Sequence, residues 1–258
     1  PPQKSHRGQK INKSPIQGIS ETLNIDYRTP KTLKDNHEEY EFLKELNADL
    51  AIVCAYGQII PENFLNLTKK GFVNIHASIL PSWRGAAPIQ RSIMNLDPET
   101  GISIMKIKKE LDSGPVSNIY KIKIDQNQNA QEISEKLSAL AAEKILDNVD
   151  DILEDKAKFI DQDHSKATYA KKIDKEESRI DWDEDASKII GKINGLFPSP
   201  GASFSFNGER YKILKAEIGN GIGQVGEIIS NQLEVACNKN QSIKILEIQR
   251  QGKRPQKI

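Results

Sequence analysis

The chain has 258 residues, of which 37% are hydrophobic and 28% charged, and its formal net charge is +1. That length predicts two domains, and the composition suits packed cores rather than disorder. The longest apolar run, residues 50–56, is too short to cross a bilayer, and the charged opening residues have no apolar stretch behind them, so neither a membrane span nor a secretory signal is expected.

Residues 1–20 hold Lys4, Arg7, Lys10 and Lys13 with no acid among them. Residues 37–47 set Tyr40, Leu43 and Leu46 at helical spacing, and 49–56, nearly all apolar, predict a strand buried on both faces. Pro61 opens a short helix through residue 67. Residues 72–76 predict a strand, 88–96 a helix, and 100–107 and 116–124 two further strands. Residues 129–153 form a long amphipathic helix whose apolar stripe is Ile133, Leu137, Leu140, Ile145, Val149 and Ile152. This alternation predicts an α/β domain with a mostly parallel sheet.

From 155 to 177 the chain turns polar and aperiodic, as a linker pinned by Tyr169. A short helix at 186–194 follows, then strands at 202–206, 211–218, 226–230, 232–236 and 242–249, with a hairpin turn at Asn207-Gly208. They predict a small β-barrel or curled sheet. Residues 239–258 carry Lys239, Lys244, Arg250, Lys253, Arg254 and Lys257 against the single acid Glu247. Two basic ends read either as solvated termini or as a footprint for a phosphate backbone. Cys54 and Cys237 are too few and too far apart for a disulfide framework, which fits a reducing cytoplasm.

Gly221-Ile222-Gly223-Gln224-Val225-Gly226 has the spacing of a dinucleotide-binding loop. Such a loop needs a helix directly after it to receive the pyrophosphate. The residues that follow read as strand and turn, so a glycine-rich β-turn is the expectation here.

The informative segment runs from Asn74 to Pro88. Asn74 and His76, two apart on a predicted strand, project from one face near the strand's carboxyl end, where open α/β sheets place their crevices. Downstream, Leu111-Asp112-Ser113-Gly114-Pro115 puts a carboxylate in a tight turn. An amide, an imidazole and a carboxylate suit acyl transfer to an amine. The amide or a protonated imidazole donates to the oxyanion, while the carboxylate orients the imidazole. The bland alternative makes Asn74 a turn cap and His76 a packing residue. The three together, with a proline-bearing loop between them, favour the chemical reading.

With Asn-x-His, Ser78-Ile79-Leu80-Pro81 and Leu111-Asp112-Ser113-Gly114 in place, the chain closely resembles the family of formyltransferases that use 10-formyltetrahydrofolate. The run from Trp83 to Arg91 and the segment Arg179-Ile180-Asp181-Trp182 resemble the branch acting on methionyl initiator tRNA. The resemblance implies a Rossmann-like catalytic domain over residues 1–156, a linker over 157–175, and an OB-like barrel that binds tRNA over 176–258. It implies Asn74, His76 and Asp112 as the catalytic trio, and Ser78, Ile79, Leu80, Pro81, Tyr56 and Gly57 as the folate site. Arg7, Lys10, Lys13, Arg250, Lys253 and Arg254 become tRNA contacts. The co-substrate is 10-formyltetrahydrofolate, no metal is needed, and a cytoplasmic monomer is expected. A formyltransferase for a small amine, such as an amino sugar nucleotide or glycinamide ribonucleotide, shares the trio and is the alternative. An RNA-binding protein on a degenerate scaffold is disfavoured by the presence of all three. Family members open with a strand and a glycine turn ahead of the basic loop, whereas this chain begins inside that loop. The expectation is a fragment whose sheet exposes an unpaired edge, at a cost to stability and activity.

Overall fold

A computed structural model describes residues 3–5 and 10–258, with side chains from Lys13 onward. Close contacts divide the chain into two units, residues 1–51 with 56–71, and residues 52–55 with 72–258.

The first unit contains an antiparallel hairpin of β1 (Gln3–Ser5) and β2 (Lys10–Asn12), and the helices α1 (Pro15–Leu23) and α2 (His37–Glu45). The side chains of Ser14 and Asn36 cap the two helices by accepting from the third residue onward. Arg28 donates to the buried Glu39 through Nε at 2.9 Å and also pairs with Glu38, tying the loop between the helices to α2. Strand β3 (Ala51–Val53) begins in this unit and ends in the other, and α3 (Glu62–Leu65) completes it.

In the second unit β3 is the edge of a four-stranded sheet ordered β3, β4 (Phe72–His76), β6 (Glu99–Lys106), β7 (Val116–Lys123). Between β4 and β6 the chain forms the two-residue strand β5 (Arg84–Gly85) and the helix α4 (Pro88–Met94). Two expectations change here. The pairings β4–β6 and β6–β7 are antiparallel, where a mostly parallel sheet was expected. The reason lies in the connection: β6 and β7 follow each other with only a turn between them, and a parallel pair would need a crossover. The apolar run at 49–56 yields a three-residue edge strand with Ile52 48% exposed, not a strand covered on both faces.

The long helix α5 (Ala130–Leu153) starts at a reciprocal cap between Asn129 and Glu132. Ile133, Leu137 and Ile152 are buried as their spacing implies, and Ile133 and Leu137 join Ile93 and Ile102 in a core under α4 and β6. Asn148 is also buried there, donating to the Tyr120 hydroxyl at 2.7 Å.

Residues 155–177 are no free linker. Ile160 bridges Val116, and β8 (Tyr169–Ala170) pairs in parallel with β5, so the segment is a strap across the loop after β4. Helix α6 (Ala186–Leu196) then packs on α4. A β-carbon on Gly195 would sit 2.9 Å from the Gln90 carbonyl oxygen, so glycine is needed there, whereas one on Gly191 would sit 2.7 Å from Leu96 Cδ2, a side-chain tip that can give way.

The remaining strands are β9 (Ser203–Phe206), β10 (Glu209–Ile218), β11 (Ile228–Ser230), β12 (Glu234–Cys237), β13 (Gln241–Arg250) and β14 (Gln256–Lys257). Asn207 and Gly208 both take positive φ in the β9–β10 turn, as a two-residue hairpin requires. The order is β11, β12, β13, β10, β9, with β14 on β13. Among the described residues this path is open, so of the barrel or sheet expected from sequence the strands form a sheet, and the OB-like barrel implied by the resemblance is not closed here. Its end strands β11 and β9 are only three and four residues long, which leaves few backbone groups to close a cylinder. Residue 179 and its successor bridge Ser203 and cover the β9 edge. Ile189, Ile193, Ile213, Ile243 and Ile245, none more than 1% exposed, fill the space between α6 and this sheet.

Candidate active site

Asn74 and His76 lie two apart on β4, opposite Met105 and Ser103 of β6. His76 is buried, and its two ring nitrogens meet different partners. Nε2 lies 2.9 Å from the Trp83 carbonyl oxygen, which can only accept, so Nε2 carries a hydrogen. Nδ1 lies 3.6 Å from Asp112 Oδ2, within ion-pair reach and longer than a hydrogen bond. Both partners come from residues in the left-handed region, Trp83 at φ +61° and Asp112 at φ +48°. For a residue as large as tryptophan that conformation costs about 1–3 kcal/mol and persists only where neighbours impose it. Here Thr168 Oγ1 accepts from the Trp83 backbone N–H, and Asp97 accepts from its indole.

Asp112 is held from two sides. Its Oδ2 accepts from the Gly85 backbone N–H at 2.8 Å, and its carbonyl accepts from the Gln162 carboxamide at 2.9 Å. Gly85 is at φ +119°, and a β-carbon there would lie 2.8 Å from the Ala170 carbonyl oxygen, so the donor to Asp112 depends on a glycine. Among the described residues, neither Asp112 Oδ1 nor the Asn74 amide has a hydrogen-bond partner. One free acceptor, on Asp112, therefore lies beside an imidazole that the protein already holds, and one free donor belongs to Asn74, two residues before it on β4.

The loop Ser78-Ile79-Leu80-Pro81 is stapled by a residue the sequence reading did not single out. The buried Ser103 hydroxyl donates to the Ser78 carbonyl at 2.7 Å and accepts from the Leu80 N–H. Ser78 spends its own hydroxyl on the Ser82 carbonyl, and Leu80 is buried, which leaves Ile79 and Pro81 as the loop's half-buried surface. Tyr56 and Gly57 belong to the first unit. Tyr56 is 38% exposed, and burial together with the Glu39 carboxylate pushes its phenol above the ordinary range.

Of the basic residues, Arg7 and the side chain of Lys10 lie outside the described residues. Lys13 is exposed and pairs with Glu21. Arg250 spends its guanidinium on Glu209, while Lys253 and Arg254 stand exposed after β13. The glycine-rich stretch 221–226 is an internal turn. Glu234 Oε1 accepts from the N–H groups of Asn220 and Gly221 at 2.9 and 2.7 Å, and these are donors that a phosphate would need. Hydrogen bonds from Ser242 and that backbone hold the Glu234 carboxyl below its usual range.

A family model described as formyl transferase matches residues 2–149, and one described as formyl transferase, C-terminal domain, matches 172–258. The chain belongs to the formyl transferase family. Among its relatives, the methionyl-tRNA formyltransferase of Pelagibacter ubique is 67% identical over the whole chain, which spans 83% of that protein. The enzyme of the same name from Dictyoglomus turgidum is 41% identical, with 96% of this chain and 81% of that protein covered. Solved structures share the fold at lower identity. An N-formyltransferase from Helicobacter canadensis, in complex with folinic acid and dTDP-3-aminofucose, matches with a TM-score of 0.67 at 16% identity, covering 96% of this chain and 85% of that one. HypX from Aquifex aeolicus, in complex with tetrahydrofolic acid, gives 0.67 at 18% identity over 88% of this chain and 40% of its own.

Proposed function

We propose that this formyl transferase moves a formyl group from 10-formyltetrahydrofolate to the α-amino group of methionyl initiator tRNA, in the cytoplasm. The observation that carries the reading is 67% identity over all 258 residues to a methionyl-tRNA formyltransferase, through both matched regions. The small-amine alternative has only a likeness of fold behind it, at 16–20% identity to sugar N-formyltransferases.

In the reaction a C–N bond forms between the methionyl nitrogen and the formyl carbon, and the bond from that carbon to N10 of the folate breaks. The amine sheds a proton and N10 gains one, so no net proton is consumed. Negative charge builds on the formyl oxygen, and the unengaged Asn74 amide is the donor suited to it. Losing such a donor typically costs about 10²–10³-fold in rate. Asp112 Oδ1 is the free acceptor for the amine's proton and is neutralised as it takes it, while His76, bonded to the Trp83 carbonyl, is proposed to stabilise the negative charge that develops on the substrate. An α-amino group has a pKa of about 7.7–8, so a useful neutral fraction exists near pH 7 and strong base activation is unnecessary. Ile79 and Pro81 offer apolar surface to the pterin, and Tyr56 and Gly57 are proposed as further folate contacts. Lys253 and Arg254, with Arg7, Lys10 and Lys13, are proposed to meet the tRNA backbone.

The test is to incubate the full-length protein with 10-formyltetrahydrofolate and charged initiator tRNA and to measure formyl-methionyl-tRNA. Product is expected, and Asp112→Asn is expected to lower turnover by about two orders of magnitude while leaving KM broadly intact. Turnover of an amino sugar nucleotide in place of the tRNA would replace this reading, and near-normal turnover by Asp112→Asn would remove Asp112 from the chemistry.

A further inference from the structure

Arg84 is 3% exposed, and among the described residues no carboxylate lies within salt-bridge distance of it. Burying a guanidinium without a counter-charge is costly, so its neutral partners need an explanation. Nε and Nη2 both donate to Gln162 Oε1, at 3.0 and 2.6 Å, and Nη2 also donates to His164 Nδ1 at 3.1 Å. Gln162, itself 8% exposed, turns its other end to the catalytic turn. The two hydrogens on its Nε2 go to the carbonyls of Asp112 and Gly114, at 2.9 and 2.7 Å. One carboxamide thus clamps the turn on either side of Ser113, starting from the carbonyl of the left-handed residue that faces His76. The chain then closes on itself. Arg84 is covalently joined to Gly85, whose N–H donates to Asp112 Oδ2. Arg84 side chain, Gln162, Asp112 backbone, Asp112 carboxylate and Gly85 N–H therefore form a ring of bonds around one carboxylate. Asp112 Oδ2 sits 3.6 Å from His76 Nδ1, a separation at which a small displacement decides whether the two interact.

We infer that Gln162 and Arg84 are positioning residues of the formyl transfer site, acting through Asp112. The inference rests on the proposed role of Asp112. Gln162 comes from the strap, so the segment that joins the two matched regions helps to build the site. The guanidinium fixes which way the carboxamide points, because Oε1 facing Arg84 forces Nε2 toward the two carbonyls. A carboxamide flipped the other way would set oxygen against oxygen.

Gln162→Glu separates this from a merely structural role. A glutamate keeps the length and supplies Arg84 with a carboxylate, so a residue needed only to satisfy the arginine is replaced without loss. It cannot donate to the Asp112 and Gly114 carbonyls. In the full-length protein Gln162→Glu is expected to fold and to lower kcat by roughly ten- to a hundredfold with little change in KM, as loss of alignment does. Added to Asp112→Asn it should cost almost nothing further, because it acts through the same group. Gln162→Met, of similar length and without donors, carries the same expectation if the glutamate variant does not fold. The second readout needs no turnover: the ring-nitrogen resonances of His76 should move in Gln162→Glu in the same sense as in Asp112→Asn. Full kcat in both Gln162 variants, additive losses in the double variant, or an unmoved His76 signal would each overturn the inference. Absence of formylation by the unaltered protein would count against the proposed function alone, and the His76 resonances would still decide this point.

Discussion

Gly114 is the tightest of the described glycines, and replacing it with alanine tests how far the turn that carries Asp112 depends on its fit. A β-carbon on Gly114 would lie 1.9 Å from the Lys106 carbonyl oxygen, where real β-carbons essentially never come closer than 3.0 Å. Lys106 ends β6 and its own N–H donates to the Pro115 carbonyl, so neither side can rotate away freely. The turn must therefore retreat by about 1 Å in a close-packed interior. That movement breaks or stretches the 2.7 Å bond from Gln162 to the Gly114 carbonyl and carries Asp112 with it. Overpacking of this kind costs about 1–3 kcal/mol. For a domain of roughly this size each kcal/mol lowers Tm by about 2–4 °C, so a fall of about 2–12 °C is expected. A misplacement near 1 Å at a reacting group costs about a hundredfold in rate. Thermal melting and steady-state kinetics of Gly114→Ala measure both effects. An unchanged Tm with unchanged kcat would refute the reasoning, because it would mean that the turn has slack the structure does not show.

Three further outcomes are expected. The Arg91 guanidinium, 2.5 Å from Glu177, holds that carboxyl below its ordinary value of 4.5. A depressed folded-state pKa contributes stability that is complete above 4.5 and is lost as pH falls through the folded value, so Glu177→Gln should flatten the acid side of the stability–pH curve, and an unaltered curve would deny the pair any share in it. Cys237 is 1% exposed, with its thiol pushed up to about 11 by burial, whereas Cys54 is exposed. Thiol titration of the native protein should find one fast group, and the second only on unfolding; two fast groups would contradict the packing of β12. Replacing both Lys253 and Arg254 with glutamine should reduce the salt dependence of tRNA binding by up to about two contacts' worth, each near 0.7–0.9 log units per decade of salt. Arg250→Gln should do less, because that charge already faces Glu209; equal slopes for all variants would leave this end of the chain out of RNA recognition.

The parts of the candidate site legible in the sequence were those whose signal is local. Asn74 and His76 share a face because strand periodicity puts them there, and Asp112 stood out because it sits in a tight turn just ahead of Gly114-Pro115, between two predicted strands. The stripe of α5 was readable for the same reason, apart from Asn148, where a polar residue satisfied by Tyr120 takes an apolar position. What stayed hidden depends on pairing across long separations. Gln162 sits in a stretch that reads as polar linker, and nothing nearby indicates that its partners are 48 and 50 residues earlier. Ser103 looks like an ordinary strand serine until the loop folds over it. The sheet direction failed because strand–helix–strand was read as a parallel crossover, whereas β4 and β6, with α4 between them, pair antiparallel, and β6 then pairs antiparallel with β7. Arg84 offered a usable signal: an arginine inside a run of small and apolar residues is either exposed at a turn or buried for a purpose.

The glycine pair on α6 bears on modularity. With Gly191 and Gly195 pressed against Leu96, Met94 and Gln90, the curled sheet and its leading helix are fitted to one particular surface of α4. A chimera that exchanges everything beyond residue 172 for the matching portion of another family member would therefore inherit a mismatch in the helix–helix seam. Successful grafts should have to carry α4 along with the incoming portion, and recombination within the family should tolerate crossover points before residue 88 better than points between α4 and α6.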